Sequence, residues 1–336
     1  MSVQALNPRS GVYLDAYLAP LQSWLERDDI TDIHVNTPGE VWIERVGGGH
    51  ERCDAPGLDE TTLWRLARQI ASLTHQGVSR EHPLLSATLP EGPRVQIVAP
   101  PATRGALLMS IRKHVVANLS LDDYVVGGAF EDTRRASVSD TAELDRRLSD
   151  KLDSGRVADF LREAVWARKN IVVSGGTASG KTTFLNALLK EVPHHARIVI
   201  IEDTPEVKLD QPNVAGLIAV RGDQGEAQVT TEDLLQAALR LRPDRIIMGE
   251  LRGPEAFAFL RAVNTGHPGS VTTVHADSPR GAIDQLALMV LQAGVNLGRS
   301  EIVEYVQGVV DVFVQLSRRD GRRAVSEITF NARAAD

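Results

Sequence analysis

Residues 175–182 read Gly-Gly-Thr-Ala-Ser-Gly-Lys-Thr and stand between an apolar run, NIVVS, and a helix-like run, KTTFLNALLKEV. A G-x4-G-K-T segment between a strand and a helix is a phosphate-binding loop. Gly175, Gly176, Thr177, Ala178, Ser179 and Gly180 would turn backbone N–H groups toward phosphate oxygens. The following helix N-terminus adds roughly half a positive charge. Lys181 would reach the β- and γ-phosphates, and Thr182, with Thr183 beside it, would hold magnesium through its hydroxyl. An ordinary glycine-rich turn is the structural alternative, and the flanking strand and helix argue against it. The expected ligands are ATP and Mg2+.

Ligands of an open parallel sheet sit at the carboxyl ends of its strands, so the residues following each apolar run matter most. After RIVII come Glu202 and Asp203, which could polarise water or position magnesium through water; an acidic helix cap is the alternative. After RIIMG comes Glu250, followed by Leu251-Arg252-Gly253. An acidic residue there marks the magnesium side of a phosphate-loop site, but Gly249-Glu250 stands where an aspartate is usual. The spacing alone does not divide the metal and base roles between Glu202 and Glu250. After SVTTV comes His275, placed to sense a γ-phosphate by hydrogen bond. His267, in NTGHPGS before that strand, is as readily structural. His194-His195 reads as a surface turn rather than a metal site.

The elements that must hold these residues follow from periodicity. From Val157 onward, apolar strand-like runs alternate with helical ones through KTTFLNALLKEV, RIVII, TEDLLQAALRL, RIIMG, EAFAFLRAV, SVTTV, RGAIDQLALMVLQAG and VDVFVQL. Near-continuous apolar strands between helices mean a parallel sheet covered on both faces, an α/β nucleotide-binding domain over residues 156–336. Residues 1–118 read as a smaller α+β domain. DIHVN and VWIER form a hairpin through TPGE, and a helix starts at Asp59 with Leu63, Leu66, Ala67, Ile70 and Leu73 on one face. RVQIVAP and ALLMSIRK add two more strands. Between the domains, residues 119–155 are rich in mixed charge, with only Leu144, Leu148 and Leu152 as an apolar stripe. They read as a linker or a lightly docked helix rather than core.

The chain has 336 residues, 43% hydrophobic and 24% charged, which is globular and long enough for two cores. A net charge of −7 argues against a generally basic, nucleic-acid-coating surface, and 4% aromatics gives little support for a base-stacking channel. Cys53 is the single cysteine, so neither an intrachain disulfide nor a cysteine-rich zinc site is available. The N-terminus lacks the apolar core of a signal peptide, and no run of ~18 apolar residues suggests a membrane span. A cytoplasmic protein is expected, with peripheral membrane contact left open.

Together GGTASGKT, IIEDTPEV, LRLRPDRIIMGELRG and NTGHPGSVTTVHADS resemble, in order, the Walker A, Asp box, atypical Walker B and His box of the hexameric secretion (traffic) ATPases. These drive type IV secretion and conjugation, with related branches in type II secretion and type IV pili. Gly-Glu in place of an aspartate is the form this family uses. The resemblance is strong over about residues 157–316 and loose before them. The lack of a four-cysteine zinc motif and the wording TGHPGSVTTVHADSP are similar to the Vir-type branch, with conjugation motors nearest to it.

The resemblance implies a RecA-like P-loop NTPase domain with a PAS-like N-terminal domain, arranged as a homo-hexamer at the cytoplasmic face of the inner membrane. It also implies partners among secretion-channel components and coupling ATPases. In the family, arginines of the N-terminal domain help complete the nucleotide site; Arg94 and Arg112 fit those places best and Arg104 less well. Arg240, Arg242 and Arg252 are further candidates for phosphate or interface contacts. Two rival functional classes remain, a DNA-translocating motor and a nucleotide-gated assembly scaffold.

Overall fold

A computed structural model describes residues 9–90, 92–113, 120–131, 133, 139–219, 225–319 and 321–332. In chain order the first elements are α1 (Arg9–Leu18), α2 (Gln22–Leu25), β1 (Ile30–Val35), β2 (Glu40–Arg45), β3 (His50–Asp54), α3 (Glu60–Leu73), β4 (Leu84–Thr88), β5 (Arg94–Val98) and β6 (Leu108–Arg112). The six strands form one antiparallel sheet in the order β3-β2-β1-β6-β5-β4. Ile33 of β1 faces Ile43 of β2 and Ile111 of β6 in register, and this side of the sheet packs with Leu14 of α1 and Leu63, Leu66, Ala67 and Ile70 of α3. Asp59 caps α3, its carboxylate accepting the Thr62 N–H at 2.7 Å.

Strand alternation sends Asp32, His34 and Asn36 to the opposite face, where they are nonetheless buried. That polar face, with Glu44, Gln96 and Ser110, lies against the second half of the chain. Asn36 donates to Asn213 at 2.9 Å, and Arg242 donates to Glu44 at 3.0 Å.

The remaining elements are α4 (Leu121–Val126), α5 (Ser139–Asp153), α6 (Val157–Trp166), β7 (Ile171–Gly175), α7 (Lys181–Leu189), β8 (Ile198–Glu202), β9 (Val214–Ile218), α8 (Thr231–Arg240), β10 (Arg245–Met248), α9 (Glu255–Asn264), β11 (Val271–Val274), α10 (Pro279–Gln292), α11 (Arg299–Val309), β12 (Val312–Arg319) and β13 (Arg322–Phe330). Their strands build a second sheet in the order β13-β12-β7-β11-β10-β8-β9, parallel except for β13. One face of it packs α8 to α11 and the other packs α5 to α7. Adjacent residues of a strand therefore serve opposite cores: Ile198 and Ile200 belong with the second group of helices, Val199 and Ile201 with the first. This is why the strands read as unbroken apolar runs.

Some local features depart from the sequence reading. β3, β4, β9 and β13 were not expected: β3 is an edge strand, HERCD, with exposed charges and no apolar period, and Gly216 breaks the apolar run of the short strand β9. The mixed-charge stretch is also more than lightly docked where it is described. Leu148 of α5 is fully buried against α6, with Leu144 and Leu152 partly so, and buried Asp145 accepts Lys169 at 2.5 Å. Apart from Asp145, the charged residues lie mostly on the outer side of the helix, which the composition of the stretch could not reveal. Residues 119, 132 and 134–138 of the expected linker lie outside the described residues.

Candidate active site

The four central strands β7, β11, β10 and β8 run parallel and side by side, so their carboxyl ends open onto one cleft of about 400 Å³. The loop after β7 forms its floor. Ala178 and Gly180 have positive φ, 61° and 95°, which curls the backbone so that N–H groups and the start of α7 face the cleft. Gly175 admits no side chain, because a Cβ there would lie 2.9 Å from the Leu316 carbonyl oxygen. Thr177 to Thr183 line the cleft, and Gly175 and Gly176 complete the loop. Lys181 Nζ donates to the carbonyls of Gly175 at 3.0 Å and Gly176 at 3.3 Å, and lies 3.3 Å from His275 Nδ1. Burial lowers the pKa of its ammonium, while Glu250 acts the other way.

The carboxylates stand opposite. Glu202, at the end of β8, is 5% exposed, and its Oε2 accepts the N–H groups of Glu206 at 3.0 Å and Val207 at 3.1 Å. Its Oε1 is held by Arg104 Nη2, which also donates to the Val207 carbonyl at 3.0 Å. Glu250, just past β10, binds Arg252 Nε at 2.7 Å and His275 Nε2 at 2.7 Å. Arg252 also reaches Asp203 at 3.7 Å. Gly249 lets the two strand ends approach: a Cβ there would lie 3.0 Å from Glu202 Cβ. Lys181, Thr182, Glu202, Glu250 and His275 thus share one cleft. A curled anion-binding loop, a lysine, a threonine hydroxyl and two carboxylates suit a magnesium-bound nucleotide.

Other candidates lie elsewhere in the chain. Arg94 and Arg112 are cross-strand neighbours on β5 and β6 and line a separate cavity with Gln96 and Arg240; Arg112 also binds Asp32 at 3.2 Å. Arg104, on the loop between β5 and β6, instead reaches Glu202 of the nucleotide cleft. Its backbone N–H donates to the Gly216 carbonyl at 3.0 Å, and its methylenes cover Gly216, where a side chain would collide. Arg240 and Arg242 hold the seam between the sheets, through Ser86 at 2.8 Å and Glu44 at 3.0 Å. His267 sits before β11, at the opposite end of the sheet from the cleft, with Nδ1 3.0 Å from the Pro243 carbonyl. His194 and His195 are exposed in a turn. Arg323 of β13, which sequence reasoning missed, lines the cleft beside Gly180. An Asp-Gly turn signal at 320–321 was its one local clue.

Residues 128–332 match the family model described as type II/IV secretion system protein. The chain is 37% identical over 327 residues to the type IV secretion system protein VirB11 of Bartonella quintana, covering 94% of this chain and 92% of that one. It is 40% identical over 328 residues to the type IV secretion system protein PtlH of Bordetella pertussis, with 94% and 95% covered. Among solved structures, the VirB11 ATPase from the Brucella suis type IV secretion system, in complex with sulphate, superposes with a TM-score of 0.90 at 37% identity over 96% of each chain. With the phosphate loop, two strand-end carboxylates and His275 converging as described, the chain belongs to the type II/IV secretion system protein family.

Proposed function

We propose that this chain is an ATPase that binds and hydrolyses ATP to energise type IV secretion, working as a homo-hexamer at the cytoplasmic face of the inner membrane with channel components and coupling ATPases as partners. The observation that carries the reading is the gathering of Lys181, Glu202, Glu250 and His275 from four adjacent strand ends onto one cleft. The likeness to VirB11 and PtlH over nearly the whole chain supports the secretion role. Among the described residues no helix is long and apolar enough to cross a membrane, in keeping with peripheral attachment.

In the proposed mechanism the loop residues 175–182 bind the phosphates, with Lys181 on the β- and γ-phosphates. Thr182 would hold magnesium, with Glu202 and Glu250 supporting it through water, and the bound ion would neutralise charge on the phosphates. Glu202 is the residue that polarises the attacking water, and His275, bridged between Lys181 and Glu250, reports the γ-phosphate. Both Glu202 oxygens are engaged in the present conformation, one of them by Arg104 of the first sheet. Rocking of that sheet away from the cleft withdraws Arg104 and frees the carboxylate, which ties hydrolysis to interdomain movement. Arg94 and Arg112, remote from this chain's own cleft, act on that of a neighbouring subunit.

The test is ATP turnover by the purified hexamer together with complementation of secretion. Loss of both in Lys181→Ala is expected. Secretion rescued by a chain that binds but cannot hydrolyse ATP would favour a scaffold instead.

A further inference from the structure

The seam between the two sheets holds a cluster that the nucleotide cleft does not use. Neighbouring strands β1, β2 and β3 place His34, Glu44 and His50 on the polar face, with Glu44 directly opposite His50 in register. His34 is fully buried, Glu44 is 9% exposed and the His50 side chain 8% exposed. One nitrogen or oxygen of each lies within 4.8 Å of those of the other two. Among the described residues His34 Nε2, Glu44 Oε2 and His50 Nδ1 are buried without a hydrogen-bond partner. Three such atoms together are costly, since buried polar groups are almost always paired.

The other polar atom of each side chain is engaged. His34 Nδ1 lies 2.9 Å from Ser110 Oγ, His50 Nε2 3.3 Å from Asp244 Oδ2, and Glu44 Oε1 accepts from Arg242 at 3.0 Å. With the ring protons on the Ser110 and Asp244 sides, His34 Nε2 and His50 Nδ1 carry lone pairs, and neither has a hydrogen-bond partner.

We propose that His34 Nε2, His50 Nδ1 and Glu44 Oε2 bind one divalent first-row transition-metal ion of the zinc class. Two imidazoles and a carboxylate are a common zinc donor set, with a fourth position open to water. Imidazole nitrogens favour zinc over magnesium and calcium, so the site discriminates against the ion that accompanies ATP. Ser110 and Asp244 occupy the positions from which second partners orient metal-bound imidazoles. Nearby Asp32, Glu44 and Asp244 offset the charges of Arg112, Arg197 and Arg242. A bound ion would tie β1, β2 and β3 together and, through Asp244 and Arg242, fasten the first sheet to the second.

The untagged full-length chain, stripped with a chelator, is titrated with Zn2+ against an indicator and with Co2+ by absorption. One equivalent bound at micromolar affinity or tighter is expected, with a raised Tm. X-ray absorption of the zinc-loaded unaltered chain should show two imidazoles and oxygen ligands at about 2.0–2.1 Å. His50→Gln and Glu44→Gln, checked for folding by circular dichroism, should each lose the equivalent, whereas Lys181→Ala should keep it. Asp244→Asn should weaken binding by about 10–100-fold. No zinc binding by the unaltered chain, an absorption spectrum lacking imidazole, or full retention in both folded variants would each overturn the site.

Discussion

Arg104 of the first sheet clamps Glu202 of the second: its Nη2 holds Glu202 Oε1 and also donates to the Val207 carbonyl at 3.0 Å. The carboxylate is 4% exposed and the guanidinium 25%, so the pair is mostly withdrawn from solvent. Removing one partner of a buried pair strands the other. Arg104→Ala should cost roughly 3 kcal/mol of stability, read from urea denaturation. If Arg104 restrains Glu202, basal turnover in Arg104→Ala stays at or above that of the unaltered chain. A collapse of turnover like that of Glu202→Gln would instead make Arg104 part of the chemistry.

Lys181→Ala should lower kcat/KM for ATP by about 10²–10³-fold or more, since it removes a charge directed at the phosphates. Glu202→Gln should still bind nucleotide but hydrolyse it slowly, measured by single-turnover kinetics. If Glu250→Gln is inactive while Glu202→Gln is near normal, the two carboxylates exchange roles.

Gly249→Ala tests the close approach of β8 and β10. The added methyl lies 3.0 Å from Glu202 Cβ and must displace it. A fall in kcat with little change in KM is expected, because the loop that binds the phosphates is untouched. An unchanged kcat would mean that the position of Glu202 is not critical.

Leu148→Ala probes α5. A fully buried leucine in the core under β7 and β12 should cost about 2–5 kcal/mol on truncation, seen as a lower urea midpoint. A surface linker helix would lose almost nothing.

Acid should weaken the fold partly through His267. Burial lowers its pKa below the ordinary 6.5 despite the Pro243 carbonyl. As pH falls through 6.5, the unfolded chain takes up a proton that the folded imidazole resists, so stability declines. The contribution is fully present above that value. The decline in Tm between neutral and mildly acid solution should be shallower in His267→Gln.

Much of the ATPase half was legible because its signals are local. The phosphate loop is contiguous, and unbroken apolar strands separated by amphipathic helices force a sheet covered on both faces. The residues following RIVII, RIIMG and SVTTV then had to lie at strand ends. The edge strands β3 and β13 left no such trace: an edge position tolerates charge, so burial imposes no periodicity on it.

What the sequence by itself determined is therefore the set of chemical groups and the end of the sheet on which they stand. Only the tertiary structure decided which of them meet. The order β7-β11-β10-β8 brings Lys181, His275, Glu250 and Glu202 together because parallel neighbours share a carboxyl edge whatever their separation along the chain. Packing the polar face of the first sheet against the second selects Arg104 over Arg94 and Arg112 for Glu202, and buries His34, Glu44 and His50 at the seam. Contacts between sheets depend on the angle and register of docking, and neither has a period that a linear chain displays.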